Sequence, residues 1–190
     1  MQKVFFEEEI FEGKDFHKSA PERGEYDSCQ FRNCDFSEAD LSDLNFIECR
    51  FTDCNFSLTK LTLASLNNVK FENCKLLGLH FEDCNKMLLS FSFENCSISL
   101  CSFPGLKLKN TSFNSCKIEE ADFTDSDLTG CSFRNCDLTR TIFYNTNLEG
   151  ADFTTAINFQ FDPENNRMKK ARFSVSGLPG LLGKYDISIE

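Results

Sequence analysis

A period of five residues runs through most of this chain, and it constrains the fold more than any other feature of the sequence. A large apolar residue recurs at every fifth position from Phe31 to Phe81, and the same spacing resumes at Phe93 and continues to Phe153. Phe accounts for 22 of the 190 residues, whereas Trp is absent. A composition so biased is typical of an internal repeat. The sequence therefore predicts a repeat protein with a large apolar residue at the centre of each unit.

A second apolar position lies two residues before each centre, and it is mostly filled by Cys or Ala. An α-helix would spread a five-residue pattern around its surface, and a flat strand would send alternate centres to opposite faces. A chain that turns a corner after each unit can instead point both positions inward on every side. Such coils bury their apolar side chains only by stacking on one another. The pattern therefore predicts a solenoid.

The units Cys34–Glu38 (CDFSE) and Ala39–Asp43 (ADLSD) resemble those of the pentapeptide repeat family. The resemblance extends in strict register from about Tyr26 to Thr155. It implies an all-β fold, a right-handed quadrilateral β-helix solenoid with four units in each coil.

The chemistry of the centres independently supports four sides. From Phe93 to Phe153 the centres alternate Phe with Leu or Ile, which fits a square and excludes a triangle. Between Phe81 and Phe93 the spacing is twelve residues instead of ten, so we interpret Leu88 as the missing centre and expect a two-residue bulge within 83–87. One continuous column is then expected to contain Phe31, Phe51, Phe71, Phe93, Phe113, Phe133 and Phe153.

The repeat phase divides the chain into three expected segments. Residues 1–27 are expected to form a frayed N-terminal capping coil, residues 28–158 the repeat β-helix, and residues 159–190 a C-terminal capping and dimerisation segment. The ends of a solenoid expose unpaired backbone and apolar core, which such segments must cover. Aromatic residues of the first segment share the phase of the repeats, with Pro21 interrupting it: Phe6, Phe11, Phe16 and Tyr26.

The C-terminal segment predicts a short helix and a strand. Asp162 and the proline after it indicate a turn, and 171–173 resembles one last repeat unit. Ser174 is positioned to cap a short helix that Gly183 would end, and Tyr185–Ile189 has the pattern of a final strand. The helix would carry three leucines on one face: Leu178, Leu181 and Leu182.

The 11 Cys all occupy the inward position two residues before a centre, which predicts packing rather than chemistry. Metal sites need cysteines that converge from short spacings, and pairs such as Cys29 and Cys34 would lie on adjacent sides. The alternative for these cysteines is a metal or redox site. His17 and His80 stand apart from any nucleophile, and no glycine-rich phosphate loop occurs. We therefore expect neither an enzyme nor a bound metal or cofactor.

Acidic residues dominate the charge, with 30 Asp and Glu against 20 Lys and Arg and a formal net charge of −10. This balance argues against a nucleic-acid ligand, because phosphate binding depends on Lys and Arg. No apolar run approaches the roughly 18 residues needed to cross a bilayer, and no basic secretory signal begins the sequence. We therefore expect a cytoplasmic protein without a membrane partner.

One side of the predicted solenoid should be strongly acidic. It is the side centred on Leu41, Leu61, Phe81, Phe103, Phe123 and Phe143. With its corners it carries nine acids, Glu38, Asp40, Asp43, Glu82, Asp83, Glu120, Asp122, Asp125 and Asp127, against Lys60, Lys107 and Arg140. Nine carboxylates over about 20 Å approach the charge spacing of B-DNA. The alternative is that outward repeat positions are simply polar.

Within the family, the C-terminal segment is similar to the dimerisation module of the Qnr-type quinolone-resistance proteins. That resemblance implies a homodimer formed by Leu178, Leu181, Leu182, Ile187 and Ile189. It also implies an acidic, rod-shaped DNA mimic that binds a type II topoisomerase, DNA gyrase or topoisomerase IV, and protects it from quinolones or a toxin. Qnr proteins with long projecting loops depend on them, and here only the short bulge interrupts the coils. The competing interpretation is a non-enzymatic interaction scaffold with an unknown partner.

Overall fold

The computed structural model describes residues 4–188 and shows a chain coiled into parallel β-solenoid turns. Contacts divide it into two compact units, Met1–Ser97 (unit 1) and Ile98–Glu190 (unit 2). Strand partners lie 20 residues apart, as with Phe31 and Phe51 in unit 1 and Phe113 and Phe133 in unit 2. Four repeats of five residues therefore complete one coil, which confirms the four-sided all-β solenoid.

Short strands form the flat parts of the coils. The strands are β1 (Val4–Glu7), β2 (Ile10–Glu12), β3 (Gly24–Asp27), β4 (Gln30–Arg32), β5 (Asn45–Ile47), β6 (Arg50–Thr52), β7 (Ser65–Asn67), β8 (Val69–Glu72), β9 (Lys75–Leu77), β10 (Phe91–Glu94), β11 (Ser97–Ser99), β12 (Ser112–Asn114), β13 (Lys117–Glu119), β14 (Ser132–Arg134), β15 (Asp152–Phe153) and β16 (Arg172–Phe173). In unit 1, β1, β3, β5 and β7 pair in that order, as do β2, β4, β6, β8 and β10. In unit 2, β12, β14, β15 and β16 pair in that order. All these pairs are parallel.

The repeat centres point inward in both units and stack in columns. The Phe columns contain Phe31, Phe51, Phe71 and Phe93 in unit 1, and Phe113, Phe133 and Phe153 in unit 2. Neighbouring ring centroids are 4.7–5.3 Å apart, and the rings are nearly parallel. These seven side chains are all buried. The predicted column is thus confirmed within each unit.

Each corner between two sides is turned by a residue in the left-handed region of backbone conformation. Every fifth residue from Ser28 to Gly78, and again from Asn95 to Gly150, has a φ between 51° and 69°. These corner residues lie two positions after a centre. Because Gly, Asn and Asp tolerate this conformation best, they predominate at the corners. The periodicity of the apolar residues does not reveal this requirement.

A recurring hydrogen bond from the backbone to a side chain fixes the local backbone around the residue that precedes many centres. The side chain of Asp40 accepts a hydrogen bond from the backbone N–H of Ser42 at 3.0 Å, two residues later. Asp122 accepts one from Thr124 in the same way at 2.8 Å. Such turns closed by an Asp or Asn side chain stabilise local backbone. These carboxylates therefore have a structural task as well as a charge.

The interruption between Phe81 and Phe93 is a two-residue insertion, as predicted, but Leu88 is not the missing centre. Strand pairing shifts from 20 to 22 residues across it. The Leu88 side chain is 71% exposed, at a φ of 60°. Phe91 is buried instead, with its ring 5.1 Å from that of Phe81 and 5.2 Å from that of Phe93. The insertion follows Asn85, whose backbone still pairs regularly. Phe91 pairs with Val69 and therefore holds the inward position two residues before the centre Phe93.

The N-terminal coil is regular rather than frayed over its described residues. β1 and β2 pair in parallel with β3 and β4. The ring of Phe11 stacks on that of Phe31 at 4.8 Å, and that of Phe16 on Phe36 at 4.7 Å. Pro21, which was expected to interrupt the phase, is buried. The phase of the repeats therefore extends into this first coil.

The C-terminal segment begins as the sequence predicts. Asp162 caps a 3₁₀ turn, Pro163–Asn165, by accepting a hydrogen bond from Glu164. Phe173 completes a last unit, with its ring stacked 5.1 Å from that of Phe153. Ser174 accepts a hydrogen bond from the Gly177 backbone and caps the 3₁₀ turn Val175–Gly177. It does not cap the predicted helix, whose N-cap residue is Leu178.

Beyond this turn the structure differs from the prediction. The helix, α1, is only Pro179–Leu182, and a 3₁₀ turn, Gly183–Tyr185, continues it. Gly183 follows the last residue of α1, as predicted, although its φ of −55° is right-handed. The left-handed residue is Asp186, at a φ of 49°, after the 3₁₀ turn. The predicted strand at 185–189 is wrong over its described residues, and Ile189 lies outside them. Four residues are too few for a stable isolated helix, so packing holds α1 in place.

Two contacts fix α1 over the last coil. The backbone N–H of Phe161 donates a hydrogen bond to the carbonyl of Gly180 at 3.1 Å. A Cβ at Gly180 would lie 2.1 Å from the carbonyl oxygen of Phe159, so only glycine permits this approach. The tail thus covers the end of unit 2. Among residues 4–188, nothing has the length and apolar character of a membrane-spanning helix.

Candidate partner-binding surfaces

Unit 1 brings five of the predicted acids to one side and its corners. Glu38, Asp40 and Asp43 lie on one coil, with Asp40 opposite Lys60 of the next. The other two, Glu82 and Asp83, lie one coil beyond Lys60. There the carbonyl of Asp83 accepts a hydrogen bond from the backbone N–H of Leu63. We call this side, with its two corners, the Leu61 surface.

The carboxylates of the Leu61 surface differ in how much nearby basic groups and hydrogen-bond donors stabilise their negative charge. Asp43 lies 3.5 Å from Arg23, and Glu82 lies 3.1 Å from the His80 ring. Hydrogen bonds from Ser42 hold the pKa of Asp40 below its ordinary value of 3.8. The exposed pair of Asp43 with Arg23 contributes little stability, so the Asp43 carboxylate can exchange Arg23 for a partner.

Unit 2 brings together three of the other four predicted acids, and each of the three already has a partner. Asp125 accepts a hydrogen bond from the Asn145 amide at 2.6 Å, and Glu120 is paired with Arg140. Asp122 holds the turn described above. This group is therefore less available for binding than the sequence suggests.

Asp127 does not lie on the predicted side. It follows the corner residue Asp125 and sits opposite Lys107 and Asn147, on the neighbouring side centred on Leu128. Lys107, counted as a base of the predicted side, lies on this neighbouring side as well.

Partners also surround the carboxylate of Asp127. Burial raises its pKa, but hydrogen bonds from Thr129 and the nearby Lys109 amine at 3.3 Å outweigh this effect and lower it. The Asp127 carboxylate is therefore bound by Thr129 and Lys109 and adds no charge to the predicted acidic side.

Exposed apolar side chains at the surface are a feature that sequence reasoning missed. Leu58 and Leu63 occupy the two corners of the Leu61 surface and are 56% and 60% exposed. In unit 2, Ile142 and Tyr144 are exposed beside a groove of about 490 Å³ that Asn158 also lines. The sequence does contain an indication of this exposure, because a leucine two positions after a centre cannot point into the core of such a coil.

The C-terminal segment exposes part of its predicted dimer interface. Leu178 is 44% and Ile187 is 57% exposed, whereas Leu181 and Leu182 are half-buried. Ile189 lies outside the described residues. The segment therefore presents apolar side chains, although not on the long helix and strand that the sequence predicts.

An ion-pair network anchors the start of the tail. The Lys184 amine lies 2.8 Å from Asp162 and 2.7 Å from Glu164, and these hydrogen bonds raise its pKa. The Tyr185 hydroxyl is hydrogen-bonded to the same Glu164 at 3.2 Å.

The cysteines pack in the interior, as predicted, and also make hydrogen bonds. All 11 are buried as thiols, outside any disulfide. Thiols donate to backbone carbonyls of the previous coil, as from Cys49 to Tyr26 at 3.2 Å and from Cys131 to Leu108 at 2.8 Å. Burial raises the pKa of both Cys49 and Cys131 to about 12. Within residues 4–188, no group of three or more His, Cys, Asp or Glu side chains is arranged to hold a metal ion.

Comparison with known families agrees with the fold. A family model for a pentapeptide repeat region matches residues 25–99, and one for pentapeptide repeats matches residues 116–154. Together they cover more than half of the chain, which therefore belongs to the pentapeptide repeat family. No curated protein matches the sequence at a significant level.

Two solved structures of QnrB1, described as a plasmid-mediated fluoroquinolone resistance protein, are similar to the chain. Both are trypsin-treated variants. One has 19% identity and a TM-score of 0.56, and the match covers 98% of this chain and 100% of that one. The other has 17% identity and a TM-score of 0.58, and the match covers 97% and 99%. At these identities the likeness shows the fold.

Proposed function

We propose that the chain is a non-enzymatic, cytoplasmic binding protein whose acidic surface imitates DNA and engages a type II topoisomerase, DNA gyrase or topoisomerase IV. Binding would protect that enzyme from quinolones or from a toxin. The observation that carries the proposal is the excess of outward carboxylates on the Leu61 surface.

The electrostatic reasoning begins with this surface. Its five acids face a single lysine, Lys60, and one arginine, Arg23, on the same side and corners. Side chains fixed on short, closely stacked coils hold their charges in a rigid array, because the backbone cannot rearrange without breaking the column beneath. An acidic array attracts the basic groove in which a topoisomerase holds DNA and accelerates encounter at low salt.

The choice of a topoisomerase comes from the resemblance to the Qnr-type proteins. QnrB1 confers fluoroquinolone resistance according to its description, and its fold matches nearly the whole chain. Identity below 20% transfers the fold and not the activity, so the partner needs its own test. An interaction scaffold with another partner is the second candidate, and the compensated acids of unit 2 favour it, since Glu120 and Asp127 are already paired.

We also propose that two copies associate through the C-terminal segment. Exposed Leu178 and Ile187 support this, because a self-complementary contact between identical tails would bury both. The molar mass in solution, from light scattering, tests it. A dimer that becomes monomeric in Leu178→Asp agrees with the proposal, and a monomeric wild type contradicts it.

A supercoiling assay tests the function. Purified gyrase inhibited by ciprofloxacin should regain supercoiling when the protein is added. The test variant is Asp40→Asn, Asp43→Asn and Asp83→Asn combined, because Asn keeps both the turn hydrogen bond and the left-handed corner while removing charge. Its matched control is Asp35→Asn, Glu48→Gln and Asp53→Asn, which removes three charges from other sides.

The expected result is protection by the wild type and the control but not by the test variant. Equal protection by both variants would contradict the role of the Leu61 surface. No restoration by the wild type, together with no gyrase binding at low salt, would favour the scaffold with another partner.

A further inference from the structure

The two exposed leucines of the Leu61 surface have no structural explanation in the coil. Leu58 and Leu63 have φ values of 59° and 58°, and side chains in this conformation approach their own backbone closely. The equivalent corners of the preceding coil hold Glu38 and Asp43. A leucine in such a position neither fills the core nor relieves the backbone.

The next coil leaves room for the Leu58 side chain. The equivalent corner of the next coil is Gly78, and a Cβ placed there would lie 3.0 Å from Cδ2 of Leu58. The side chain therefore lies along the surface, over a position where a larger residue would crowd it. More than half of its surface stays exposed to solvent.

Charges surround the two leucines in an ordered way. Coils lie about 4.8 Å apart, so Glu38 and Asp43 of the preceding coil lie beside Leu58 and Leu63. On the next coil, Glu82 and Asp83 lie beside Leu63, whereas the neighbour of Leu58 is Gly78. Lys60 lies on the same coil between the leucines, opposite Asp40. The two leucines, with Lys60 between them, therefore lie next to carboxylates of both neighbouring coils.

We propose that the Leu61 surface binds a basic, amphipathic segment of a protein partner. Apolar side chains of that segment contact Leu58 and Leu63, and its Lys and Arg side chains contact the carboxylates on both sides. Charge complementarity selects the basic partner, and the exposed leucines select a protein over a small cation, which would leave them uncovered. The partner's identity rests on the proposed function, whereas the chemistry of its contact segment does not.

Two synthetic helical peptides test this directly. One is built from Lys and Leu, with the leucines on one face, and the other replaces every Leu with Ser at unchanged charge. Fluorescence anisotropy of each labelled peptide gives its affinity for the full chain. We expect the Lys/Leu peptide to bind about tenfold more tightly than the Lys/Ser peptide, because it covers apolar surface in addition to pairing charges.

Variants locate the effect. Leu58→Asn with Leu63→Asn should abolish the tenfold preference while leaving the Lys/Ser affinity unchanged. Leu88→Asn is the matched control, since Leu88 is an exposed leucine with the same left-handed backbone but lies in the insertion. Because Asn favours this conformation, all three substitutions should keep or raise the melting temperature. Equal affinity of the two peptides for the wild type would overturn the proposal, and so would an equal loss of preference in Leu88→Asn.

Gyrase binding by the same variants separates the two proposals. Peptide preference without any gyrase binding would leave the surface chemistry intact and refute the topoisomerase as partner. Gyrase binding that is indifferent to both leucine substitutions would refute this use of the leucines and leave the topoisomerase proposal standing.

Discussion

The substitution Phe133→Ala tests the inward packing of the repeat centres. Phe133 is fully buried, and its ring stacks on those of Phe113 at 5.1 Å and Phe153 at 4.8 Å. It also makes edge contacts with the rings of Phe123 and Phe143. Removing the ring loses its burial, leaves a cavity and breaks two stacked pairs.

The expected cost follows from these contacts. Phe→Ala in a packed core costs about 3–5 kcal/mol. The value should lie in the upper half of that range, because stacked rings above and below cannot move together while their own strands stay paired with β14. Phe133→Leu should cost clearly less, because leucine already serves as a centre in this unit, for example at Leu128 and Leu138.

Urea unfolding followed by circular dichroism measures these costs. The exposed Tyr144→Ala is the control, with an expected change within about 0.5 kcal/mol. The slope against urea must be unchanged for the free energies to be compared, since repeat arrays can unfold in parts. A loss below about 1 kcal/mol for Phe133→Ala, or an equal loss for Tyr144→Ala, would refute the inward assignment.

Three further perturbations address the corners, the turns and the thiols. Leu63→Asn should raise the free energy of unfolding, measured in urea, by about 0.5–1 kcal/mol, because Asn tolerates the left-handed corner better than Leu does. A loss of stability would show that the Leu63 side chain packs more than its exposure suggests. Hydrogen bonds from Thr154 lower the pKa of Asp152 from 3.8. The contribution of the Asp152 carboxylate to stability is therefore present above pH 3.8 and is lost as the pH falls through the lowered pKa. Asp152→Asn should flatten the fall in melting temperature below pH 3.8, and an unchanged profile of melting temperature against pH would contradict this. All 11 thiols are buried, and burial raises the pKa of Cys49, Cys84 and Cys131 to about 12. Because a reagent cannot reach buried thiols, the native protein should react at pH 8 only as fast as it unfolds, whereas all 11 thiols react in urea. A rapid phase in the native protein would contradict their burial.

The sequence predicts the interior of this fold well, because the five-residue period is a direct record of which side chains point inward. Phe31 and Phe133 could be assigned to their columns by counting alone. Counting fails at the insertion, where Leu88 has the right residue type for a centre but is exposed. Periodicity cannot show which residue resumes the pattern after an insertion, since that depends on how the bulged backbone turns.

The surface was harder to predict, because one residue type serves two purposes there. Asp40 and Asp122 were assigned to partner binding, and both also close backbone turns. Asp127 was assigned to the wrong side, because the position of the corner at Asp125 is a backbone property that the pattern of apolar residues does not show. The exposure of Leu58 follows from its left-handed corner, which the pattern of inward residues does not show.

The tail was predicted in part. Ser174 caps a turn, as its residue type indicates, whereas the length of the helix was overestimated. Apolar residues spaced three and four apart predict an amphipathic helix, but Gly180 and Gly183 within it weaken the propensity. The close contact of Gly180 with Phe159 shows that these glycines serve packing against the last coil.

Salt-dependent affinity for purified gyrase, measured for four proteins at equal concentration, decides whether the Leu61 surface is a binding site. These are the wild type, the triple Asp→Asn variant of that surface, its charge-matched control on other sides, and Leu58→Asn with Leu63→Asn. We expect wild-type affinity to fall as salt rises, the control to match the wild type, and the triple variant to bind roughly tenfold more weakly at low salt. Wild-type binding that is absent at low salt, or equal for the triple variant and its control, would contradict the assignment.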